Sequence, residues 1–251
     1  LTAARIQQHV PLLHFFAFKQ PTYLTRRATE CFLGDEQAVI HDVHLNITNA
    51  DYAEMFSRVK AYLRSGESYQ VNLTSKYTFQ YDGTYKSLYK VLRTRQKVAY
   101  AGVFSMRDYG LVSLSPELFF AKAHKKLRLK PMKGTMPRMP NPVDDLRAAD
   151  FLKHDAKSIA ENTMIVDLLR NDAAGISRPG TVFVPSLLDI ESFDTVHQMT
   201  STIESQVQAD ISFAKVMGAL FPCGSITGAP KRRTIELIAE IEREPRGIYT
   251  G

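Results

Sequence analysis

Strand-like segments follow one another directly in the middle of this chain, which limits the folds open to it. They lie at about 98–105, 110–114, 117–123 and 126–131, and a long helical stretch follows at about 144–172. Strand runs are thus separated by helices, but one strand does not alternate regularly with one helix. A doubly wound parallel sheet requires that alternation. The order therefore predicts an α+β fold with largely antiparallel sheets.

The remaining segments fit the same class of fold. Residues 1–48 alternate enough in polarity to form strands, with turn residues at Leu33–Asp35, and another strand is predicted at 68–79. A polar loop is predicted from Gly134 to Asn141. Further helices are predicted at about 49–63, 84–95, 211–219 and 231–243, and further strands near 181–184 and 195–204.

Composition and charge exclude several classes of protein. The chain of 251 residues is 44% hydrophobic, a balance typical of globular domains that bury a large core. No apolar run approaches the roughly 18 residues of a membrane span, and no secretory signal opens the chain. The two cysteines lack metal-ligand spacing, which favours a reduced, cytoplasmic setting. The net charge of +6 is scattered along the chain, so we expect no nucleic-acid partner.

A glycine-rich turn precedes the last predicted helix. The segment Gly224–Lys231 reads Gly-Ser-Ile-Thr-Gly-Ala-Pro-Lys. Backbone N–H groups and the dipole at the start of a helix attract anions. The segment is therefore either a plain capped turn or an anion-binding site. Its spacing of glycine and lysine differs from that of a Walker loop.

Two acidic residues are candidate functional groups. At helical spacing Glu161 shares a face with Ile165 and Leu168, where a carboxylate needs a partner. That partner is either a neighbouring Lys or Arg, or Mg²⁺, which prefers oxygen ligands. Glu117 begins a strand of bulky apolar residues. It is either an exposed charge at a strand end or a carboxyl that stays protonated and serves as a general acid.

Lys133 and His197 are two further candidates. Lys133 lies between a strand end and Gly134. It is either a solvated surface group or, if its neighbours depress the pKa of its amine, a nucleophile. His197 is either a hydrogen-bonded structural residue or a catalytic one.

Taken in this order, the segments resemble the chorismate-binding family of enzymes. That family includes anthranilate synthase component I, aminodeoxychorismate synthase component I, isochorismate synthase and salicylate synthase. The resemblance runs from about residue 50 to the last residue and rests on seven ordered motifs. They are Tyr69–Leu73, Ser115–Glu117, Pro131–Thr135, Glu161–Asp172, Val196–His197, Gly224–Lys231 and Arg246–Gly251.

The resemblance implies an architecture. We expect a sandwich of two antiparallel sheets flanked by helices, with the site between the sheets. Residues 49–251 would form the chorismate-binding catalytic domain. Residues 1–48 would be a remnant of an N-terminal region or a set of entry strands.

Two positions indicate which reaction the resemblance implies. Family members that add water to chorismate carry a basic Lys where this chain has Gln70, and a neutral amide is a poor general base. Aminodeoxychorismate synthases have Lys in the loop where this chain has Lys133, whereas anthranilate synthases usually have Ala. The resemblance is therefore closest to aminodeoxychorismate synthase component I, on the route to p-aminobenzoate and folate. The alternatives are anthranilate synthase component I, which also eliminates pyruvate, and a non-catalytic chorismate-binding module.

The implied reaction assigns roles to individual residues. The Lys133 amine attacks C2 of chorismate while Glu117 protonates the departing C4 hydroxyl, and ammonia then adds at C4 and expels the lysine. A glutamine amidotransferase partner supplies the ammonia. We expect nearby Lys or Arg residues to keep part of the Lys133 amine neutral. The residues that match family positions around the substrate are Thr135, Gly134, His197, Ser225, Tyr249 and Gln70.

The cofactor implied by the resemblance is Mg²⁺, which would hold the ring carboxylate of chorismate with Glu161 as a ligand. The family takes carboxylates from two helices, and an acidic residue often precedes the first Glu by three positions, where this chain has Ser158. The second carboxylate helix, and an Arg that binds the substrate carboxylate, would lie beyond Gly251. We therefore expect a chain truncated at its C-terminus, whose own residues bind Mg²⁺ and chorismate poorly.

Overall fold

The structure, a computed structural model, describes residues 19–107 and 109–249. The chain divides into two compact units. The first comprises residues up to Asp51 together with Ser75–Pro116, and the second comprises Tyr52–Thr74 together with Glu117–Gly251. Every predicted site residue belongs to the second unit.

Helices and strands alternate irregularly along the described residues. The helices are α1 (Arg26–Leu33), α2 (Asn49–Arg64), α3 (Tyr85–Arg95), α4 (Pro142–His154), α5 (Ala156–Ala174), α6 (Phe213–Leu220) and α7 (Lys231–Ile241). The strands are β1 (Val39–Leu45), β2 (Gln70–Val71), β3 (Tyr77–Asp82), β4 (Tyr100–Ser105), β5 (Gly110–Ser115), β6 (Leu118–Ala123), β7 (Lys126–Lys130), β8 (Met132–Pro137), β9 (Phe183–Ser192), β10 (Val196–Gln206) and β11 (Gly228–Ala229).

The first unit contains two antiparallel strand pairs. β1 pairs with β3, and β4 pairs with β5. α3 packs against β4 and β5, and its first turn is closed by a capping box. The Thr84 hydroxyl accepts from the Ser87 backbone N–H at 3.3 Å, while the Thr84 N–H donates to the Ser87 hydroxyl at 2.9 Å. Such reciprocal bonds satisfy donors that have no partner inside the helix.

The prediction of strands through residues 1–48 is wrong at α1. The Thr25 hydroxyl accepts from the Ala28 backbone N–H at 3.2 Å and so starts a helix rather than a strand. Gly34, in the predicted turn, ends that helix with φ +76°, a conformation that glycine adopts without steric cost. A strand is present at β1, and residues 1–18 lie outside the described residues.

The second unit is built on a five-stranded antiparallel sheet whose central strand is β10. β9 pairs along one edge of β10, and β7 and β8 pair with successive halves of the other edge. β6 pairs with β7 at the margin. Since β7 ends at Lys130 and β8 begins at Met132, the two strands run almost as one beside β10. Lys133 therefore lies within a paired strand and not in a loop.

Helix α5 covers this sheet with an apolar face. Ile165, Leu169 and Ala173 recur every four residues and are at most 2% exposed. They share one core cluster with Leu127 of β7 and Ile203 of β10. Full burial of a Leu or Ile side chain contributes about 1.5–3 kcal/mol, so this face holds α5 firmly on the sheet. The helix thereby becomes a fixed support for the residues on its remaining surface.

Three sequence-based boundaries are wrong. One helix was predicted at 144–172, but the extended residue Asp155 (ψ 108°) separates α4 from α5 and caps α5 by accepting from the Ser158 N–H at 2.8 Å. The loop predicted from Gly134 starts later, because β8 stays paired with β10 through Pro137. The strand predicted at 68–79 is interrupted between β2 and β3. A side-chain cap and long-range pairing override local pattern in these places.

The class of fold is as predicted. The described residues form an α+β protein whose strand pairs are all antiparallel, and α2, α3, α6 and α7 occupy the predicted helical segments. None of the helices in the described part of the chain combines the length and the hydropathy that a bilayer crossing demands.

Candidate functional site

The site is organised around Lys133 in β8. Its Nζ atom donates to the backbone carbonyl of Ser225 at 2.6 Å. The register of β8 on β10 is interrupted between the pairs Met132–Thr200 and Thr135–Gln198, so Lys133 lies at an irregularity of the ladder. Such irregularities redirect side chains from their regular alternation. Lys133 is half-buried and is not the solvated surface lysine considered as an alternative.

The turn that accepts this hydrogen bond rests directly on α5. Gly224–Ile226 form one turn of 3₁₀-helix, and Ser225 is 3% exposed. A Cβ atom at Gly224 would lie 2.4 Å from Cδ2 of Leu168, so any larger residue would require the Leu168 side chain to move. Beyond the turn, β11 pairs with β2, which keeps the glycine-rich segment extended. The turn is thus held from two sides against Lys133.

Glu117 completes a group of polar side chains at this point. Burial raises the pKa of Glu117 above its ordinary value. The Ser225 side chain, the charge of Lys133 and the Met132 backbone N–H offset that rise only in part. Burial stabilises the neutral form of a carboxyl, so Glu117 is shifted toward a proton donor. This is the state that a general acid requires.

The amine of Lys133 is shifted in the complementary direction. Burial lowers the pKa of Lys133, while the negative charges of Glu117 and Glu161 oppose that fall. The expectation that neighbouring Lys or Arg residues lower this pKa is therefore wrong: the pKa falls mainly because the amine is removed from water, and the charges that act on it are anionic. Desolvation favours the neutral amine, which is the nucleophilic form.

Replacing Glu117 with Gln should make stability less dependent on pH. Because the folded-state pKa is raised, the stability of the wild type is full below the ordinary carboxyl pKa and is lost as pH rises through the folded pKa. Glutamine imitates the protonated form at every pH. We expect the melting temperature of Glu117→Gln to match that of the wild type near pH 4 and to exceed it increasingly as pH rises.

The control for this comparison is Asp167→Asn, which changes a carboxylate that is 82% exposed. Its melting temperature should track that of the wild type across the same pH range. A Glu117→Gln protein whose difference from the wild type stays constant with pH would show that Glu117 titrates like an ordinary exposed carboxyl.

Glu161 lies on α5, and its surroundings fit in part both an ion pair with a lysine and a place among the ligands of Mg²⁺. It is half-buried, its Oε1 atom is 3.7 Å from Nζ of Lys157, and its charge acts on Lys133. Lys157 is 81% exposed, so this ion pair is weak. The Ser158 hydroxyl is engaged by Asp155 at 2.6 Å. Glu161 offers the kind of oxygen that Mg²⁺ prefers, but in the described residues no three acidic, His or Cys side chains cluster as a metal site.

His197 lies in a polar cluster of its own. It is 2% exposed; its Nδ1 atom is 2.8 Å from the Ser192 hydroxyl and its Nε2 atom is 3.0 Å from Oδ1 of Asp145. The guanidinium of Arg138, bonded to both oxygens of Asp145, holds the pKa of that carboxyl well below its usual range. Both ring nitrogens thus have protein partners, which is the geometry of a structural histidine. The substrate contact of His197 stays a prediction.

The other predicted substrate residues are spread over three elements. Gly134 lets β8 approach α5, since a Cβ there would lie 2.7 Å from the Ser158 side chain. The exposed Thr135 donates its hydroxyl to Oε1 of Gln198 at 3.2 Å. Tyr249 is 53% exposed in the turns after α7. The Oε1 atom of Gln70, in β2, is buried and has no hydrogen-bond partner in the described residues. The structure records no substrate contact for them, so their binding roles stay predictions.

Two buried ion pairs around the glycine-rich turn were missed from the sequence. Lys231 pairs with Asp172, and Arg246 makes a two-bond contact with Glu242 at 2.9 and 2.6 Å. The Arg246 guanidinium also donates to the carbonyl of Ile226 at 2.5 Å. Asp172, Lys231 and Arg246 lie within the seven motifs. The spacing of four residues between Glu242 and Arg246 is typical of a local ion pair, so that pair could have been predicted. No comparable signal joins Asp172 to Lys231, which lie 59 residues apart.

Comparison with known proteins gives one consistent family. A profile of the chorismate binding enzyme family matches residues 16–251. Aminodeoxychorismate synthase component 1 of Escherichia coli K12 is 38% identical over 210 residues, which are 84% of this chain and 46% of that protein. Anthranilate synthase component 1 of Streptomyces coelicolor is 34% identical over 207 residues, which are 82% of this chain and 40% of that protein.

The solved structures agree. Anthranilate synthase component I from Streptococcus pneumoniae TIGR4 superposes with a TM-score of 0.78 at 27% identity, over 87% of this chain and 48% of that one. This chain spans less than half the length of the two curated relatives described. Because the family profile matches nearly every residue of the chain, the likeness does not rest on isolated motifs. The protein is a member of the chorismate binding enzyme family.

Proposed function

We propose that the whole protein is an aminodeoxychorismate synthase, which converts chorismate and ammonia to 4-amino-4-deoxychorismate and water in the cytoplasm. One observation carries the proposal: the amine of Lys133 lies against the Ser225 carbonyl within reach of the charge of Glu117, and burial shifts both groups toward their neutral forms. An enzyme that adds water to chorismate needs a general base instead. The relative from E. coli, whose printed name is aminodeoxychorismate synthase component 1, supports the same reaction.

The proposed chemistry balances in two steps. In the first, the lone pair of the Lys133 amine forms a bond to C2 of chorismate, the C1=C2 and C5=C6 double bonds shift to C1=C6 and C4=C5, and the C4–O bond breaks. Glu117 donates its proton to the departing oxygen, which leaves as water, and the Glu117 carboxylate then takes a proton from the alkylated Lys133 nitrogen. In the second, ammonia bonds to C4, both double bonds return to C1=C2 and C5=C6, and the C2–N bond to Lys133 breaks; Glu117 protonates the departing nitrogen and takes the proton that the new C4 ammonium loses. Lys133 and Glu117 then regain their initial protonation states.

The remaining groups of the proposal are the cofactor and the partner. Mg²⁺, when bound, would neutralise the ring carboxylate of chorismate, and Glu161 is the described residue suited to be one of its ligands. The described residues alone do not complete such a site. Ammonia would come from a glutamine amidotransferase subunit, and the words "component 1" in the names of the relatives support a partner.

The experiment that tests the proposal identifies the product. We expect the whole protein, given chorismate, Mg²⁺ and ammonium at pH 8, to form a product that retains the enolpyruvyl group, with no pyruvate released. Pyruvate released in proportion to chorismate consumed would identify an anthranilate synthase, the activity named for the relative from S. coelicolor. Chorismate binding without any turnover would identify a non-catalytic module. An activity that persists in EDTA would remove Mg²⁺ from the proposal.

A further inference from the structure

The ion pair between Asp172 and Lys231 holds the two ends of the segment that contacts Lys133. Lys231 is the first residue of α7, and its Nζ atom donates to Oδ2 of Asp172 at 2.5 Å and to the backbone carbonyl of Leu220 at 3.2 Å. Leu220 is the last residue of α6. The ammonium group of Lys231, the residue after the segment 221–230, therefore binds the carbonyl of Leu220, the residue before that segment. The same group binds Asp172 of α5.

The pair is largely withdrawn from solvent. The side chains of Lys231 and Asp172 are 16% and 12% exposed. Burial raises the pKa of Asp172, and the hydrogen bond and charge of Lys231 oppose that rise. A buried carboxylate is tolerated when a cation meets it in good geometry. The contact is thus a specific tether and differs from the surface ion pairs of α7, such as Arg233 with Glu67.

The tethered segment carries the group that Lys133 contacts. Ser225, in its middle, supplies the carbonyl that accepts from Lys133, and its side chain acts to lower the pKa of Glu117. We propose that the Asp172–Lys231 pair is a positioning pair, which keeps Ser225 against Lys133 and so keeps water from the amine. Neither residue touches the reacting atoms in this proposal. The inference rests on the proposed function only for the role of Lys133 in catalysis.

A variant with unchanged net charge tests the proposal. The double substitution Asp172→Asn with Lys231→Met removes one charge of each sign and keeps the sizes of both side chains. The pKa of Lys133 is obtained from the pH dependence of its acetylation rate. Mass spectrometry of the peptide that contains Lys133 quantifies the acetylation. We expect that pKa to rise by at least about half a unit, because water reaches the amine. Below the pKa, labelling would be about threefold slower than in the wild type.

The matched control is the double substitution Glu67→Gln with Arg233→Met, which removes a more exposed pair between Arg233 of the same helix and Glu67 without changing net charge. It should leave the pKa of Lys133 unchanged. If the folded Asp172→Asn, Lys231→Met protein keeps the wild-type pKa at Lys133, the pair does not position Ser225 against the amine and the proposal is wrong. The measurement needs no chorismate, so its outcome is independent of whether the proposed reaction is right.

A second variant keeps the test decisive if the double variant does not fold. Asp172→Asn alone leaves an oxygen facing the ammonium of Lys231, so the tether persists while the cation loses its counter-charge. The charge of Lys231 already acts on neighbouring Cys223. We expect an uncompensated cation there to lower the pKa of Lys133, the opposite of the double variant. An unchanged or raised pKa in Asp172→Asn would contradict the proposal.

Discussion

Lys133→Met is expected to abolish the formation of 4-amino-4-deoxychorismate, with a fall in kcat of at least about 1,000-fold. Loss of the nucleophile from an enzyme that works through a covalent intermediate costs up to the order of 10⁶ in rate. Methionine keeps most of the aliphatic stem but lacks the amine that bonds to Ser225. Because burial of that amine opposes its charged form, its removal should not lower the melting temperature.

The same variant tests the covalent step directly. Wild-type protein mixed with chorismate and Mg²⁺ without ammonium, then quenched in acid, should carry a mass adduct on the peptide that contains Lys133. The adduct should be missing from Lys133→Met and present in Lys122→Met, which changes an exposed lysine on the neighbouring strand β6. Turnover by Lys133→Met at the wild-type rate, or wild-type turnover with no adduct at any quench time, would rule out the covalent route.

Gly228→Ala is expected to lower the free energy of unfolding by about 3 kcal/mol or more. A Cβ atom at Gly228 would lie 1.9 Å from the backbone oxygen of Gln70 and 2.8 Å from Cγ2 of Thr234. The φ angle of +147° is in addition one that side chains rarely adopt. Steric overlap and backbone strain each cost on the order of 1–3 kcal/mol. The clash is with main chain, so the pairing of β11 with β2 must open to relieve it.

The control for this prediction is Gly218→Ala in α6, where a Cβ atom would meet nothing within 4 Å. Alanine is the better helix former by about 1 kcal/mol, so this variant should be as stable as the wild type or more stable. Urea denaturation followed by circular dichroism compares the two. Equal stability of Gly228→Ala and Gly218→Ala would mean that the glycine-rich segment is not packed against β2 as described.

Helices with clear local signals were predictable from the sequence. A helix was predicted at about 84–95, and α3 occupies that segment, its start closed by the bonds between Thr84 and Ser87. The break at Asp155 was not predictable in the same way. Residues on both sides of it favour a helix, and the carboxylate that caps α5 interrupts the helical backbone there. An Asp residue can lie inside one long helix or cap the start of a second helix, and local propensity does not decide between these two outcomes.

Strand limits depended on partners that the local pattern does not contain. Gly134 and the prolines after it are typical of a loop, yet β8 continues to Pro137 because β10 lies beside it. Glycine at position 134 is favoured both by its φ angle of +88° and by the close contact with Ser158 of α5, although the residue lies within a paired strand. Propensities of a few tenths of a kcal/mol per residue yield to such pairing.

The residue types and spacing of seven motifs were enough to assign the family and to name Lys133, Glu117 and Ser225 as candidate functional groups, because chemical identity and order are properties of the chain itself. The directions of the pKa shifts of Lys133 and Glu117 follow only from the tertiary structure. Burial, and not neighbouring cations, lowers the pKa of Lys133, and the ion pair that holds the turn joins residues 59 positions apart. Solvent exclusion and charge pairing arise between segments distant in sequence, so no local pattern encodes them.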